Sequence, residues 1–162
     1  MNNDHLTPRE TLIGAGEPAP DFTLLDQDRN EWSLSTALSE SDVVLSFFPM
    51  AFTSVCETEM SCVRDDATQF REAGAHVVGV SCDSFAVQKA WAEKEGFTHR
   101  LLADMHRQVC KAYGLYWPDL NVASRGTVVV TKHDDGAPIV KWSQGREVMN
   151  AMEPQEILAA VR

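Results

Sequence analysis

Two short apolar runs, "VVLSFF" at 43–48 and "HVVGVS" at 76–81, restrict the fold more than any other feature of the chain. Neither alternates apolar with polar residues, as a strand with one wet face does. Near-continuous runs of β-branched and aromatic residues mark strands buried on both faces. Such strands need helices above and below them, and the intervening segments supply them. From about Ser54 to Ala73, the residues Met60, Val63, Ala67 and Phe70 recur at three- and four-residue spacing, and Gly74 offers a stop. "SFAVQKAWAEKEG" (84–96) and "MHRQVCKAYG" (105–114) read as helices ended by glycine, with "HRLLAD" between them as a strand. "DFTLLDQDRNEWSL" alternates around a polar turn at 26–30 and predicts an N-terminal hairpin. "GTVVVTKHDDGAPIVKWS" predicts two strands around a turn. "EPQEILAAVR" predicts a closing helix with Pro154 in its first turn. The order predicts an α/β fold: a central mixed sheet flanked by helices.

The 162 residues suit one domain, expected over 16–162, with a polar amino-terminal tail or loosely held arm at 1–15. The formal net charge of −10 opposes binding to a phosphate backbone, so no nucleic-acid partner is expected. No apolar stretch approaches the roughly 18–20 residues of a membrane span. The amino terminus has neither a basic head nor an apolar signal core, and a cytoplasmic protein without a membrane partner is expected. In that setting Cys56, Cys62, Cys82 and Cys110 are expected to be free, catalytic or metal-binding rather than structural disulfides. No C-x-x-C pair occurs and the five histidines are scattered, so neither a metal site nor a cofactor is expected.

One cysteine stands apart. In "FFPMAFTSVCETEM" (47–60), Pro49 ends a strand because it cannot donate to a ladder. Ser54 and Glu57 have the spacing of a capping box. Whether Ser54 or Thr53 is the cap, Cys56 lies in the first helical turn. There the unpaired N–H groups and the helix dipole favour thiolate over thiol. Glu57 and Glu59 oppose this, so a nearby cation is wanted, and Arg125 and Arg64 are candidates. Cys56 falls within about 40° of the apolar stripe, at its edge. A buried, inert cysteine is the competing reading.

"PMAFTSVC" (49–56) has the form P-x-x-x-T-x-x-C and resembles the active-site motif of the peroxiredoxins. "GEPAPDFTLLDQD", "VVGVSCDS", "LLADMHRQVCKAYG" and "SRGTVVV" resemble further blocks of that family, in order, from about residue 14 to the end. The resemblance is greatest to the one-cysteine branch similar to alkyl hydroperoxide reductase E. It implies a thioredoxin-like fold and a peroxidase that reduces hydrogen peroxide and organic hydroperoxides. Cys56 would be the peroxidatic nucleophile, cycling through sulfenic acid. Thr53 would hold the peroxide and Arg125 would stabilise thiolate and transition state. Pro49 would shield the site, and Glu59 would orient the arginine or a neighbouring backbone group. A homodimer is also implied.

The chemistry requires such a set. Lowering a thiol's pKa from about 8.5 to about 6 raises the thiolate fraction at neutral pH only about thirtyfold, or ~2 kcal/mol. The rest must come from donors aimed at the charge developing on the leaving oxygen. The sulfenic acid must then be reduced. Cys62 and Cys82 are candidate resolving residues. Six helical residues put Cys62 about 9 Å along the axis from Cys56, too far for a disulfide without unwinding. Without a resolving cysteine the reductant is external: a thioredoxin- or glutaredoxin-like protein or a low-molecular-weight thiol. The rival functions are a peroxide-sensing regulator and a thiol–disulfide oxidoreductase on the same fold. The apolar segment "AYGLYWPDL" (112–120) could line the site, rim a dimer interface or be core.

Overall fold

The computed structural model describes residues 2–162. Its elements in chain order are β1 (Thr23–Asp26), β2 (Glu31–Ser33), α1 (Leu34–Ala37), β3 (Asp42–Phe47), α2 (Ser54–Asp65), α3 (Ala67–Glu72), β4 (Ala75–Ser81) and α4 (Phe85–Glu95). They continue as β5 (Arg100–Ala103), α5 (Gln108–Ala112), β6 (Tyr116–Trp117), β7 (Val122–Ala123), β8 (Gly126–Lys132), β9 (Pro138–Gly145) and α6 (Pro154–Val161). Seven strands form one mixed sheet in the order β2-β1-β5-β4-β3-β8-β9. The β5, β4 and β3 strands run parallel, and antiparallel pairs complete both sides.

The two apolar runs occupy the centre, as their composition requires. Val43, Leu45 and Phe47 of β3 point into one core with α1, α5 and the amino-terminal segment. Val44 and Phe48 point into the other, beneath α2, α3, α4 and α6. Period-two alternation thus divides one strand between two apolar layers.

Gly79 of β4 sets how closely α2 approaches. A Cβ there would meet Leu101 Cδ2 at 2.7 Å and Met60 Sδ at 2.9 Å. Met60 lies one turn after Cys56, so this glycine helps fix the height of the cysteine over the sheet. Gly79→Ala is expected to destabilise the protein by about 1–3 kcal/mol through overpacking. Urea unfolding reads this out directly, and an unchanged midpoint would show the packing to be loose.

The structure departs from the sequence reading in four places. The helix expected to run from Ser54 to Ala73 breaks at Asp66 (φ −94°, ψ 6°) into α2 and α3. The Asp66 side chain accepts from Gln69 Nε2, and Phe70 still reaches the core, so periodicity did not reveal the break. The Ser54/Glu57 capping box does not form. Thr53 is the N-cap, and its hydroxyl donates to the Met50 carbonyl instead of capping the helix.

The apolar stretch at 112–120 includes one arm of a small hairpin, β6 against β7. Finally, the segment before residue 16, expected as a tail or loose arm, is packed down. The Asn3 amide donates to Thr23 C=O and accepts from Thr23 N–H. Ile13 is fully buried, and its N–H donates to Tyr113 C=O. Its apolar anchors follow no period, and a side-chain amide does the work of a strand.

Candidate active site

The carboxyl end of β3 and the amino end of α2 meet at one turn. The last ladder bond runs from Phe48 N–H to Val80 C=O, and buried Pro49 then ends the strand. Phe52 turns the chain with φ 62°, a left-handed conformation uncommon for a bulky residue. Its ring lies 6.2 Å from that of buried Trp91. The turn delivers Cys56 as the third residue of α2, in the first turn as expected. Cys56 is 1% exposed and sits at the apolar face with Met60 and Val63.

Arg125 reaches the sulfur from the residue before β8. Arg125 is 2% exposed, and its guanidinium serves three partners. Nη2 donates to Cys56 Sγ at 3.2 Å, Nε donates to Val148 C=O at 2.9 Å, and Nη1 pairs with Glu59 Oε2. Arg64, the other candidate cation, binds Asp65 and the Glu95 carbonyl instead.

Glu59, one turn beyond Cys56, is fully buried. Its Oε1 accepts from Arg146 Nη2 at 2.8 Å and from Met152 N–H at 3.2 Å. Burial pushes this carboxyl above its ordinary value, against the opposing charges of Arg146 and Arg125. Every group facing it is a donor, so only the ionised form satisfies them. Two guanidiniums and one carboxylate leave one surplus positive charge beside the sulfur.

Arg146 escaped the sequence reading. It also donates to Thr127 Oγ1 at 2.8 Å. The signal was a mirrored pair, Arg125-Gly126 and Gly145-Arg146. Gly126 pairs with Gly145 across β8 and β9, and Arg146 N–H donates to Arg125 C=O at 3.0 Å. The hairpin register places both arginines on one carboxylate.

A cleft of about 210 Å³ opens over the sulfur, lined by Pro49, Thr53, Cys56 and Arg125 together with Trp117, Leu120 and Met149. Four of the residues singled out in the sequence therefore share one cavity, with Glu59 behind it. Thr53 is exposed, and its hydroxyl proton is engaged by Met50 C=O at 2.7 Å. The oxygen lone pairs remain free to accept.

The other thiols are placed differently. Cys62 is partly buried in α2, and burial pushes its thiol up, reinforced by Asp66, Asp65, Glu153 and Glu59. Cys82 lies in the core on the opposite face of the sheet from Cys56, against Cys110. All four cysteines are free.

Comparison with known proteins gives the same picture. The AhpC/TSA family profile matches residues 15–135. Alkyl hydroperoxide reductase E of Mycobacterium tuberculosis is 33% identical over 138 residues, covering 84% of this chain and 88% of that protein. The crystal structure of peroxidoxin BcpB from Mycobacterium tuberculosis superposes with a TM-score of 0.82 at 29% identity, over 92% of this chain and 96% of that one. The reduced 2-Cys peroxiredoxin of Plasmodium vivax gives 0.81 at 26% identity, over 92% and 80% of the two chains. A thioredoxin-like sheet, a cysteine in the first turn of a helix and these likenesses agree, and the chain belongs to the AhpC/TSA family as a peroxiredoxin resembling alkyl hydroperoxide reductase E, a thiol-dependent peroxidase.

Proposed function

We propose that Cys56 is the peroxidatic nucleophile for hydrogen peroxide and organic hydroperoxides, and that Thr53, Arg125, Pro49 and Glu59 complete its site. The observation that carries this reading is the 3.2 Å contact from Arg125 Nη2 to Cys56 Sγ, inside a cleft that also holds Thr53. The thiolate attacks one peroxide oxygen, an S–O bond forms and the O–O bond breaks. The other oxygen leaves as hydroxide or alkoxide and takes up a proton. Thr53 Oγ1, its own proton turned to Met50, accepts from the peroxide O–H and orients it. Arg125 donates to the sulfur and to the oxygens as charge moves between them. Pro49 keeps water from the buried side of the sulfur. Glu59 acts through Arg125 as a positioning residue.

Arg125→Lys tests the planar donor set. An ammonium is a point charge and cannot reach sulfur, Glu59 and the Val148 carbonyl at once. The second-order rate with peroxide is expected to fall about 10²–10³-fold, measured by stopped-flow competition. A rate within twofold of the native value would reject the role.

The oxidised product is Cys56 sulfenic acid, and its reduction falls to an external thiol. One thiol forms a mixed disulfide with release of water, and a second displaces Cys56. The reductant is a thioredoxin- or glutaredoxin-like protein or a low-molecular-weight thiol. The placement of Cys82 across the sheet and the raised Cys62 thiol support this one-cysteine cycle. Intact mass after one equivalent of peroxide is expected to show one added oxygen on Cys56. Loss of two hydrogens with a mapped bridge to Cys62 or Cys82 would overturn the cycle.

A homodimeric, cytoplasmic protein of one domain completes the proposal. Exposed Met50, Leu120 and Met149 line the cleft and support an apolar contact there. The four free thiols suit a reducing compartment. Among the described residues no helix is long and apolar enough to cross a membrane.

A further inference from the structure

Away from the peroxidase site, the carboxyl ends of two neighbouring strands bring three ligand-type side chains together. Cys82 follows β4 and Asp104 follows β5. The ladder carries them into register, with Ser81 opposite Ala103 and Asp104 N–H donating to Ser81 C=O at 2.8 Å. Cys110 comes from α5, packed onto the same strand ends. The two sulfurs and a carboxylate oxygen all lie within 4.8 Å of one another. All three residues are buried: Asp104 is 1% exposed, Cys110 0% and Cys82 9%.

We infer that Cys82, Asp104 and Cys110 form a binding site for a thiophilic divalent cation of the Zn²⁺ class.

The sulfur separation supports this assignment. Cys82 Sγ and Cys110 Sγ are 3.9 Å apart. A tetrahedral zinc with Zn–S bonds of about 2.3 Å sets its two sulfurs about 3.8 Å apart, whereas a disulfide needs about 2.05 Å. The thiols thus already hold the edge of a coordination tetrahedron. The three protein ligands leave the fourth tetrahedral position to solvent, as open zinc sites do.

Asp104 is oriented by the protein itself, accepting from Val109 N–H at 3.2 Å and Cys110 N–H at 2.8 Å. These bonds fix the carboxylate as the outer hydrogen bonds of a metal site do. A cavity of about 170 Å³, lined by Asn3, Asp104, Met105, His106 and Gln108, touches the Asp104 side of the cluster.

The charge of a bound divalent cation deprotonates a coordinating thiol. Binding exchanges two S–H protons for two metal–sulfur bonds and releases both protons to solvent, with no change of oxidation state. The bound ion would tie β4, β5 and α5 together on the sheet face remote from Cys56. The C-x₂-C spacing that advertises many zinc sites is absent because the two cysteines lie 28 positions apart.

The test uses Co²⁺ as the probe on the full chain carrying Cys56→Ser and Cys62→Ser, so that the other sulfurs cannot contribute. One equivalent is expected to bind, with thiolate-to-cobalt charge-transfer absorption and release of two protons, and Zn²⁺ should displace it. Adding Cys110→Ser or Cys82→Ser should weaken binding at least tenfold and remove the absorption of one thiolate. Asp104→Asn should weaken binding while keeping the absorption. Circular dichroism establishes which variants fold, and the proton count on the parent needs no further variant. Absence of charge-transfer absorption at millimolar cobalt would overturn the assignment. So would absorption that survives both cysteine replacements. A third overturning result is a Cys82–Cys110 disulfide, two hydrogens lighter, formed by peroxide in a protein that takes up no cobalt.

Discussion

Cys56→Ser is expected to reduce peroxide consumption by at least about 10³-fold, to the rate of the reductant alone. A serine hydroxyl in the same turn keeps the shape of α2 and the N–H groups around it. What it loses is the ionisable, polarisable sulfur that Arg125 contacts. The variant should therefore fold with a near-native melting temperature, because the change removes little packing volume. The assay follows peroxide loss in the presence of excess dithiol, with native protein alongside. Undiminished consumption would mean that another group attacks the peroxide, and the assignment of the site would fail. Retained turnover in Cys62→Ser and Cys82→Ser would complete the assignment, since neither thiol lies in the cleft.

Glu59→Gln is expected to act on stability as well as rate. Glu59 is the acceptor that Arg125, Arg146 and the Met152 N–H share. An amide keeps the shape but removes the charge and turns a donor towards other donors. Breaking a buried ion pair from one side typically costs about 3–5 kcal/mol, because the surviving charge stays buried. Here two guanidiniums survive. Denaturant unfolding is expected to show a loss of that size, and the peroxidase rate should fall because Arg125 is no longer held on the sulfur. The double variant Glu59→Gln, Arg146→Met relieves one of the surplus charges. A smaller loss than the sum of the two single changes would show direct coupling. If Glu59→Gln unfolds at the native denaturant concentration, the network contributes nothing and Glu59 has no positioning role.

The sequence exposed the parts of this protein whose physics is local. The β3 and β4 runs announced strands covered on both sides because no polar residue marks a wet face. Cys56 was placed in a first helical turn without knowing which residue caps it, and that indifference proved useful, because Thr53 serves as N-cap with its hydroxyl turned elsewhere. Features that depend on two distant segments meeting were hidden. Arg146 became a site residue only through the register of β8 and β9. Asn3 became structural only because β1 offers Thr23 an unpaired backbone edge. The break at Asp66 left no trace because Phe70 keeps its place in the apolar stripe on either side of it.

The packed amino-terminal segment has a practical corollary. Asn3 closes the backbone of Thr23, and Ile13 fills the core beneath Tyr113. An affinity handle fused ahead of Asn2 would thus press against a built-in piece of the sheet rather than hang from a free end. Exposed Arg162, at the far end of α6, offers the gentler attachment point for immobilising the enzyme on a surface or joining it to a reductase.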